Sequence, residues 1–233
     1  MQTFVFIHGA SHGAWCWSPL IEWLEAPAFT IDLPGRGKRP ADLEKITVED
    51  YAASAVNDIK SLDAESIILV GHSMAGVTLP RVADQIPELI SRMVFVSCAV
   101  PPDGKCLLDL LDPPPQSQEA IDALTGDLLT GIPEEQARYI FCNDMNDAQA
   151  QFVVDRIDPE SPRLLTSGSD LRGLRHPIPH TYIRLAQDQA LPLSAQNISI
   201  ESIGDAEVVD LDTGHNVMIS NPKLLADILN QYV

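Results

Sequence analysis

The chain has 233 residues, 45% of them hydrophobic, which excludes an intrinsically disordered protein and is enough for one sizeable core. Asp and Glu number 33 against 15 Lys and Arg, so the net charge at pH 7 is −18. This acidic balance argues against nucleic acid or anionic membranes as partners. We interpret the charge as a well-solvated surface rather than as a sign of a cationic substrate.

The chain carries no recognisable targeting or membrane segment. No window approaches the roughly 20 apolar residues of a membrane span, and a strand pattern over residues 3–7 stands where a signal peptide would begin. We therefore expect a cytoplasmic protein. The four cysteines are irregularly spaced, which predicts free thiols, and no His/Cys spacing predicts a metal site.

Strand-like apolar runs alternate with helix-like segments along the chain. The runs cover residues 3–7, 29–33, 66–70, 93–98, 180–185 and 207–211. This alternation predicts an α/β fold with a mostly parallel six-stranded sheet flanked by helices. Apolar residues at helical spacing predict a helix over residues 48–62, with Thr47 and Asp50 forming a capping box. Another helix is predicted to begin at Asn221-Pro222.

The alternation stops after residue 99 and resumes at residue 180. Residues 100–179 contain two proline clusters and several short helical patterns. A stretch of about 80 residues is too long for a plain connection within a compact domain. We therefore predict an inserted helical lid, or cap, at residues 100–179, and an α/β core formed by residues 1–99 and 180–233.

The motif Gly71-His72-Ser73-Met74-Ala75-Gly76 directly follows the third predicted strand. A sharp turn from strand to helix strains its central residue, lifts that side chain clear of the sheet and requires small residues two positions to either side. Gly71 meets this requirement, whereas Ala75 stands where glycine is usual. The motif predicts Ser73 as a nucleophile, with an ordinary turn serine as the alternative.

Two further candidate groups follow later strands. Ligands bind an open parallel sheet outside the carboxyl ends of its strands. Asp188 follows the fifth predicted strand and His215 the sixth, so the chain order is serine, acid, histidine. Asp103, Asp210 and Asp212 are alternative acids, although the last two stand very near His215 in sequence.

Taken together, these motifs resemble those of α/β-hydrolases, and more narrowly those of the plant-type methylesterase and hydroxynitrile lyase group. The resemblance covers nearly the whole chain and is carried by residues 4–15, 71–74, 182–192 and 214–215. It implies Ser73 as nucleophile, His215 as general base and acid, and Asp188 as the residue that orients His215. It also implies an oxyanion hole made by the backbone N–H groups of Ala10 and Met74, and no metal or organic cofactor.

The residues beside the implied triad separate the possible reactions. The resemblance implies that Gly9, Ser11, His72 and Asn216 bind substrate. Lyases of this group have threonine at the position of Gly9 and lysine at that of Asn216, and the lysine stabilises departing cyanide. We therefore predict a serine hydrolase that cleaves a small to medium carboxylic ester through an acyl-enzyme. The alternatives are a hydroxynitrile lyase or lactonase on the same triad, and a ligand-binding sensor that retains the triad.

The pocket is the least predictable part of the site. Plant relatives place a tryptophan in the lid, whereas all three tryptophans here precede residue 24, so the pocket must differ. Phe141, Phe152 and the leucines within residues 107–129 are candidate lining residues, with ordinary core packing as the alternative. We expect a small-molecule ester as the substrate, and a homodimer remains an open alternative.

Overall fold

The protein folds around one parallel sheet, seen in a computed structural model that describes residues 2–233. The strands are β1 (Gln2–Ile7), β2 (Ala28–Ile31), β3 (Ser66–His72), β4 (Ile90–Val96), β5 (His180–Leu185) and β6 (Ala206–Leu211). They lie in the order β2-β1-β3-β4-β5-β6, and all five pairs are parallel. The predicted α/β fold with a six-stranded sheet is confirmed.

Strand ends differ from prediction by two or three residues where tertiary structure sets them. Strand β3 extends to His72, because His72 still pairs with Val96 of β4. Strand β4 ends at Val96 rather than at residue 98, since the next residue, Ser97, has a φ of +41° and leaves the extended conformation. Both shifts occur at the carboxyl edge of the sheet.

Within residues 2–233, ten α-helices flank or connect the strands. They are α1 (Ser18–Ile21), α2 (Val48–Ser61), α3 (Leu79–Gln85), α4 (Gln118–Thr130), α5 (Glu134–Phe141), α6 (Asp147–Val154), α7 (Arg163–Thr166), α8 (Leu193–Ile203), α9 (Val217–Ser220) and α10 (Pro222–Leu229). Short 3-10 turns cover Ala14–Trp17, Ser73–Val77, Pro87–Leu89, Leu107–Leu110, Arg172–Arg175 and Asn230–Tyr232. Both predicted helices form, with the Thr47–Asp50 capping box on α2 and the Asn221 side chain capping α10.

Both faces of the central strands are buried, as a parallel sheet requires, whereas the edge strand β6 is largely exposed. Along β3, Ile67 and Leu69 point into the layer that contains α2, whereas Ile68 and Val70 point into the layer that contains Trp17 and α10. This alternation follows from the period of two in a strand. The rigid core so formed fixes the carboxyl ends of all six strands at one edge.

The segment between β4 and β5 contributes α4 to α7 and no strand. Helices α5 and α6 bury apolar side chains against one core layer, whereas no side chain of α4 is buried. The predicted domain boundaries at residues 99 and 180 stay a prediction. All four cysteines are free thiols, as predicted. Among residues 2–233, no helix combines the length and hydrophobicity needed to cross a bilayer.

Candidate active site

Ser73 occupies a strained turn at the end of β3. It begins the 3-10 turn Ser73–Val77, and its φ is +55°, a left-handed conformation that costs about 1–2 kcal/mol for a residue with a side chain. Its carbonyl oxygen accepts a hydrogen bond of 2.9 Å from the Ala99 N–H. Strain held in place by such contacts is characteristic of functional positions.

Small residues around Ser73 permit this turn, and Ala75 is compatible with it. A Cβ atom on Gly71 would overlap the Leu79 side chain and lie 3.0 Å from the Ala75 methyl group. Ala75 itself is buried in the core, and its φ is not positive, unlike those of Ser11, Ser73 and Ser97. The turn therefore needs glycine at position 71 but not at position 75.

Asp188 and His215 form a buried pair next to this turn. The His215 Nδ1–H donates to Asp188 Oδ2 at 2.6 Å, which leaves His215 Nε2 free to accept a proton. Burial alone would raise the pKa of Asp188, but the charge and hydrogen bond of His215, with the other donors to the carboxylate, outweigh it and lower that pKa. Asp188 is therefore ionised at neutral pH.

The three alternative acids lie elsewhere. Asp103 accepts from the Leu171 N–H at 3.1 Å, and Asp210 pairs with Arg184 at the surface. Asp212 accepts a hydrogen bond of 2.9 Å from the side chain of Gln187. Of the candidate acids, Asp188 is the one that contacts His215.

His72 connects the serine turn with the histidine loop. Its Nε2–H donates to the His215 carbonyl oxygen at 2.9 Å, and the two imidazole rings lie 4.4 Å apart. Burial, together with nearby histidine charges, lowers the pKa of His72 well below its ordinary value. Within residues 2–233 no hydrogen bond joins the Ser73 hydroxyl to His215, and such bonds often tighten only when substrate is bound.

The loop after β1 presents a free backbone donor beside Ser73. His8 Nδ1–H donates to the Gly9 carbonyl oxygen and His12 Nδ1–H to the Ala10 carbonyl oxygen, both at 2.8 Å. The first of these bonds fixes the Gly9–Ala10 peptide, whose N–H belongs to Ala10. This N–H has no hydrogen-bond partner in the described part of the chain. It is available to an oxyanion.

A cavity of about 450 Å³ opens over Ser73. Its lining includes the predicted residues Ala10, Ser11, Ser73 and Met74, together with Phe141 and several leucines of the β4–β5 segment. The leucines are Leu107, Leu110, Leu111, Leu128 and Leu165. Phe152 packs instead on Trp15, with ring centroids 5.6 Å apart. The cavity is mostly apolar, as small-molecule sites usually are.

Three predicted substrate-binding residues do not line this cavity. His72 and Asn216 are fully buried, and the Asn216 amide donates to His12 Nε2 at 3.1 Å and to the Phe141 carbonyl oxygen at 3.3 Å. Gly9 lies behind Ser73, where an added Cβ would be 2.7 Å from the Ser73 Cβ. Of the four predicted residues, Ser11 lines the cavity and the other three do not. Their role in substrate binding stays a prediction.

The sequence matches the alpha/beta hydrolase family over residues 4–228. The chain belongs to this family. It is 28% identical over 260 residues to Methylesterase 7 of Arabidopsis thaliana, covering 99% of this chain and 97% of that protein. It is also 28% identical over 253 residues to Salicylic acid-binding protein 2 of Nicotiana tabacum, with 98% and 96% covered. The resemblance to plant methylesterases is thus confirmed.

Among solved structures, this α/β-hydrolase is similar to an extracellular α/β-hydrolase from a Paenibacillus species. The TM-score is 0.87 at 27% identity, with 100% of this chain and 99% of the other covered. That protein is described as sharing structural and functional homology with the tobacco salicylic acid binding protein 2.

Three residues that support the site of this α/β-hydrolase were not predicted from the sequence. Ser97 donates to Asp188 Oδ2 at 2.6 Å. Asp144 Oδ2 accepts from the Gly214 N–H at 2.7 Å and so anchors the His215 loop. Glu160 accepts from the Ser11 N–H at 3.1 Å. Each reaches the site from a distant part of the chain, and no local motif marks it.

Proposed function

We propose that this α/β-hydrolase is a serine hydrolase that cleaves a small to medium carboxylic ester through an acyl-enzyme intermediate. The observation that carries the proposal is the buried Asp188–His215 pair at the sheet edge where strained Ser73 lines an apolar cavity. A nucleophile, a base and a group that orients the base are the parts that this chemistry needs.

The reaction proceeds in two halves. Ser73 Oγ attacks the ester carbonyl carbon while His215 Nε2 takes the hydroxyl proton, and the Ala10 and Met74 N–H groups stabilise the oxyanion. His215 then gives the proton to the departing alcohol, which leaves the acyl group on Ser73. In the second half His215 Nε2 takes a proton from the water molecule that attacks the acyl carbon, and it then gives that proton to Ser73 Oγ as the acid is released.

The residues at positions 9 and 216 support ester hydrolysis over cyanohydrin cleavage. Asn216, which follows His215, is buried and uncharged, and its amide N–H groups point to His12 and Phe141, so no cation stands there to stabilise cyanide. Gly9 leaves no hydroxyl at the position next to Ser73. Two of the relatives are named methylesterases, which agrees with this assignment. Lactones, as cyclic esters, remain the alternative substrates.

The proposal also covers the substrate class, the partners and the location of the enzyme. We propose a small-molecule substrate, no nucleic acid or membrane partner and a cytoplasmic location. The net charge of −18 supports the choice of partners, and the four free thiols suit a reducing compartment. The segment of residues 100–179 would act as a lid, since it supplies most leucines of the cavity lining.

The experiment compares purified wild type, Ser73→Ala and Asp188→Asn on a panel of methyl esters, lactones and cyanohydrins. We expect wild type to complete many turnovers on esters and Ser73→Ala to complete none. Asp188→Asn should lower kcat by about 10⁴-fold, as in a comparable triad. Asp212→Asn is the matched control, because Asp212 contacts Gln187 instead of His215. Ester turnover by Ser73→Ala at the wild-type rate would overturn the proposal.

A further inference from the structure

Two successive peptide units of the loop after β1 are held by hydrogen bonds to the side chains of His8, His12 and Glu160. His8 holds the carbonyl of the Gly9–Ala10 unit. His12 holds the carbonyl of the Ala10–Ser11 unit at 2.8 Å, and Glu160 Oε2 accepts from its N–H at 3.1 Å. The unpaired Ala10 N–H thus lies in the first of two adjacent peptide planes that are both fixed.

Ser11 needs such support because its backbone is strained. Its φ is +59°, in the left-handed region that disfavours residues with a side chain. The Glu160 carboxylate accepts from its N–H, and the Asp158 N–H donates to its carbonyl oxygen at 3.0 Å. Residues 158–160 therefore contact Ser11 through both of its backbone polar groups.

Glu160 is itself held by a complete set of buried partners. Arg36 Nη2 lies 2.5 Å from Oε2, and both side chains are only 1% exposed. Tyr51 Oη–H and the Ser161 N–H each donate to Oε1 at 2.7 Å. Burial, followed by the charge of Glu160, raises the pKa of Tyr51, so the phenol remains a donor. Arg36 neutralises a carboxylate that would otherwise oppose an oxyanion nearby.

Two further observations place Glu160 beside the oxyanion donors. A small void of about 10 Å³ is lined by Ala10, Met74, Tyr51 and Glu160, among others. The Glu160 N–H also donates at 2.8 Å to the carbonyl oxygen of Leu128, a residue of α4 that lines the large cavity. Glu160 thereby links the β4–β5 segment to the loop that carries the Ala10 N–H.

We propose that Glu160 is a positioning residue, which fixes the Ala10–Ser11 peptide through the Ser11 N–H and so aims the Ala10 N–H at the oxyanion. This inference rests on the proposed function of Ser73. Arg36 and Tyr51 complete the cluster: Arg36 supplies the countercharge, and Tyr51 holds the second carboxylate oxygen.

The test compares two double variants that share the loss of the ion pair. Arg36→Met/Glu160→Met removes both charges and the acceptor for the Ser11 N–H, whereas Arg36→Met/Glu160→Gln keeps an amide oxygen there. Replacing a whole buried ion pair by apolar side chains is often tolerated, unlike removing one partner. We expect the Gln variant to keep its kcat/KM for a methyl ester within about threefold of wild type. The Met variant should lose about 10- to 100-fold in kcat/KM, less than the loss of about 10²- to 10³-fold in kcat for a missing oxyanion donor.

A second readout separates positioning from general damage. A trifluoromethyl ketone, which forms an oxyanion on Ser73, should bind the Met variant more weakly by the same factor as kcat/KM falls, while a non-covalent amide analogue keeps its affinity. Active sites are counted by titration with a fluorophosphonate. If the Met variant does not fold, Tyr51→Phe is measured instead, with a ketone affinity expected to fall about threefold.

Equal ketone affinities in the two double variants would overturn the role of Glu160. So would a loss of kcat/KM in the Met variant that matches its loss of titratable active sites. For Tyr51→Phe, unchanged ketone affinity would do the same. Ser73→Ala is assayed alongside: if it retains turnover, the proposed function fails, whereas if it is inactive and the double variants are alike, only the positioning role fails.

Discussion

Ser97 Oγ and His215 Nδ1 donate to the same atom, Asp188 Oδ2, each at 2.6 Å. The other carboxylate oxygen accepts from the backbone N–H groups of Ala190 and Leu191 at 2.7 and 2.8 Å. Four donors therefore hold one buried carboxylate, and Ser97 does so from a strained backbone with a φ of +41°. The orientation of His215 depends on this set of contacts as much as on the pair itself.

Replacing Ser97 tests that dependence with two matched variants. Ser97→Ala and Ser97→Gly both lose the hydroxyl, and a hydrogen bond to a charged group contributes about 1.5–3 kcal/mol. Glycine also relieves the positive φ, so Ser97→Gly should be about 1 kcal/mol more stable than Ser97→Ala in urea unfolding. We expect both to lose about tenfold in kcat, since they lose the same contact. Equal stability of the two variants would contradict the account of backbone strain.

Gly9→Ala should damage the site more than the fold. The added methyl group would lie 2.7 Å from the Ser73 Cβ and 3.1 Å from the His72 carbonyl oxygen, so the serine must shift. We expect a loss of at least about 10²-fold in kcat/KM and about 1–3 kcal/mol in unfolding free energy.

Gly126→Ala provides the control for Gly9→Ala. Gly126 lies in α4, and a Cβ there would meet no atom within 4 Å. Because alanine is the better helix former, we expect stability to rise by about 0.5–1 kcal/mol with no change in activity. Full activity of Gly9→Ala would show that catalysis does not depend on the close approach of the loop after β1 to the Ser73 turn.

Lowering the pH below about 6.5 should destabilise this protein, because His12 is buried in its neutral form. Burial lowers its pKa from 6.5 to about 3, against the hydrogen bond to Ala10, which acts to raise it. Between these values the unfolded chain binds a proton that the folded chain does not. The unfolding free energy therefore falls as pH decreases from 6.5 toward 3, by about 1.4 kcal/mol per pH unit for one group.

His12→Gln removes this titration and should flatten the slope by about one proton, measured by urea unfolding at pH 7, 6, 5 and 4. His8 and His72 are also buried with lowered pKa values, so the variant should retain part of the slope. An unchanged slope in His12→Gln would mean that His12 does not stay neutral in the folded state.

The cavity should select neutral substrates. Among the lining residues that the structure describes, Asp112 is the one with a charged side chain, beside Ser11, Ser73, Gln189 and many apolar groups. A free carboxylate on the substrate would lose its hydrating water without gaining a cation as a partner, and it would lie near the like charge of Asp112. We expect kcat/KM for monomethyl succinate at pH 7 to be at least about tenfold below that for dimethyl succinate, which corresponds to about 1.4 kcal/mol. Asp112→Asn should narrow the difference, and equal rates on the two esters would contradict this selectivity.

The sequence was sufficient where local patterns determine structure. The apolar runs predicted all six strands, Thr47 and Asp50 predicted the start of α2, and the order of Ser73, Asp188 and His215 predicted which groups lie at one sheet edge. The local pattern could not show that alanine suits position 75, because that depends on the absence of a Cβ at Gly71.

Contacts between residues far apart in the chain could not be predicted from the sequence. Glu160 contacts Ser11 across 149 positions and Ser97 contacts Asp188 across 91, so their roles depend on packing rather than on neighbouring residues. The full burial of His72 and Asn216 likewise follows from how two loops pack together. Sequence adjacency to Ser73 or His215 was therefore a poor guide to which residues line the cavity.

The β4–β5 segment divides into a replaceable part and a constrained part. Helix α4 buries none of its side chains, yet Leu128 on it lines the cavity. Residues 144–160 instead carry Asp144 and Glu160, which hold the histidine loop and the loop after β1. Substrate preference can therefore diverge through substitutions along α4 while the reaction chemistry is preserved, and libraries that randomise its cavity-facing positions should yield mostly folded, active enzymes.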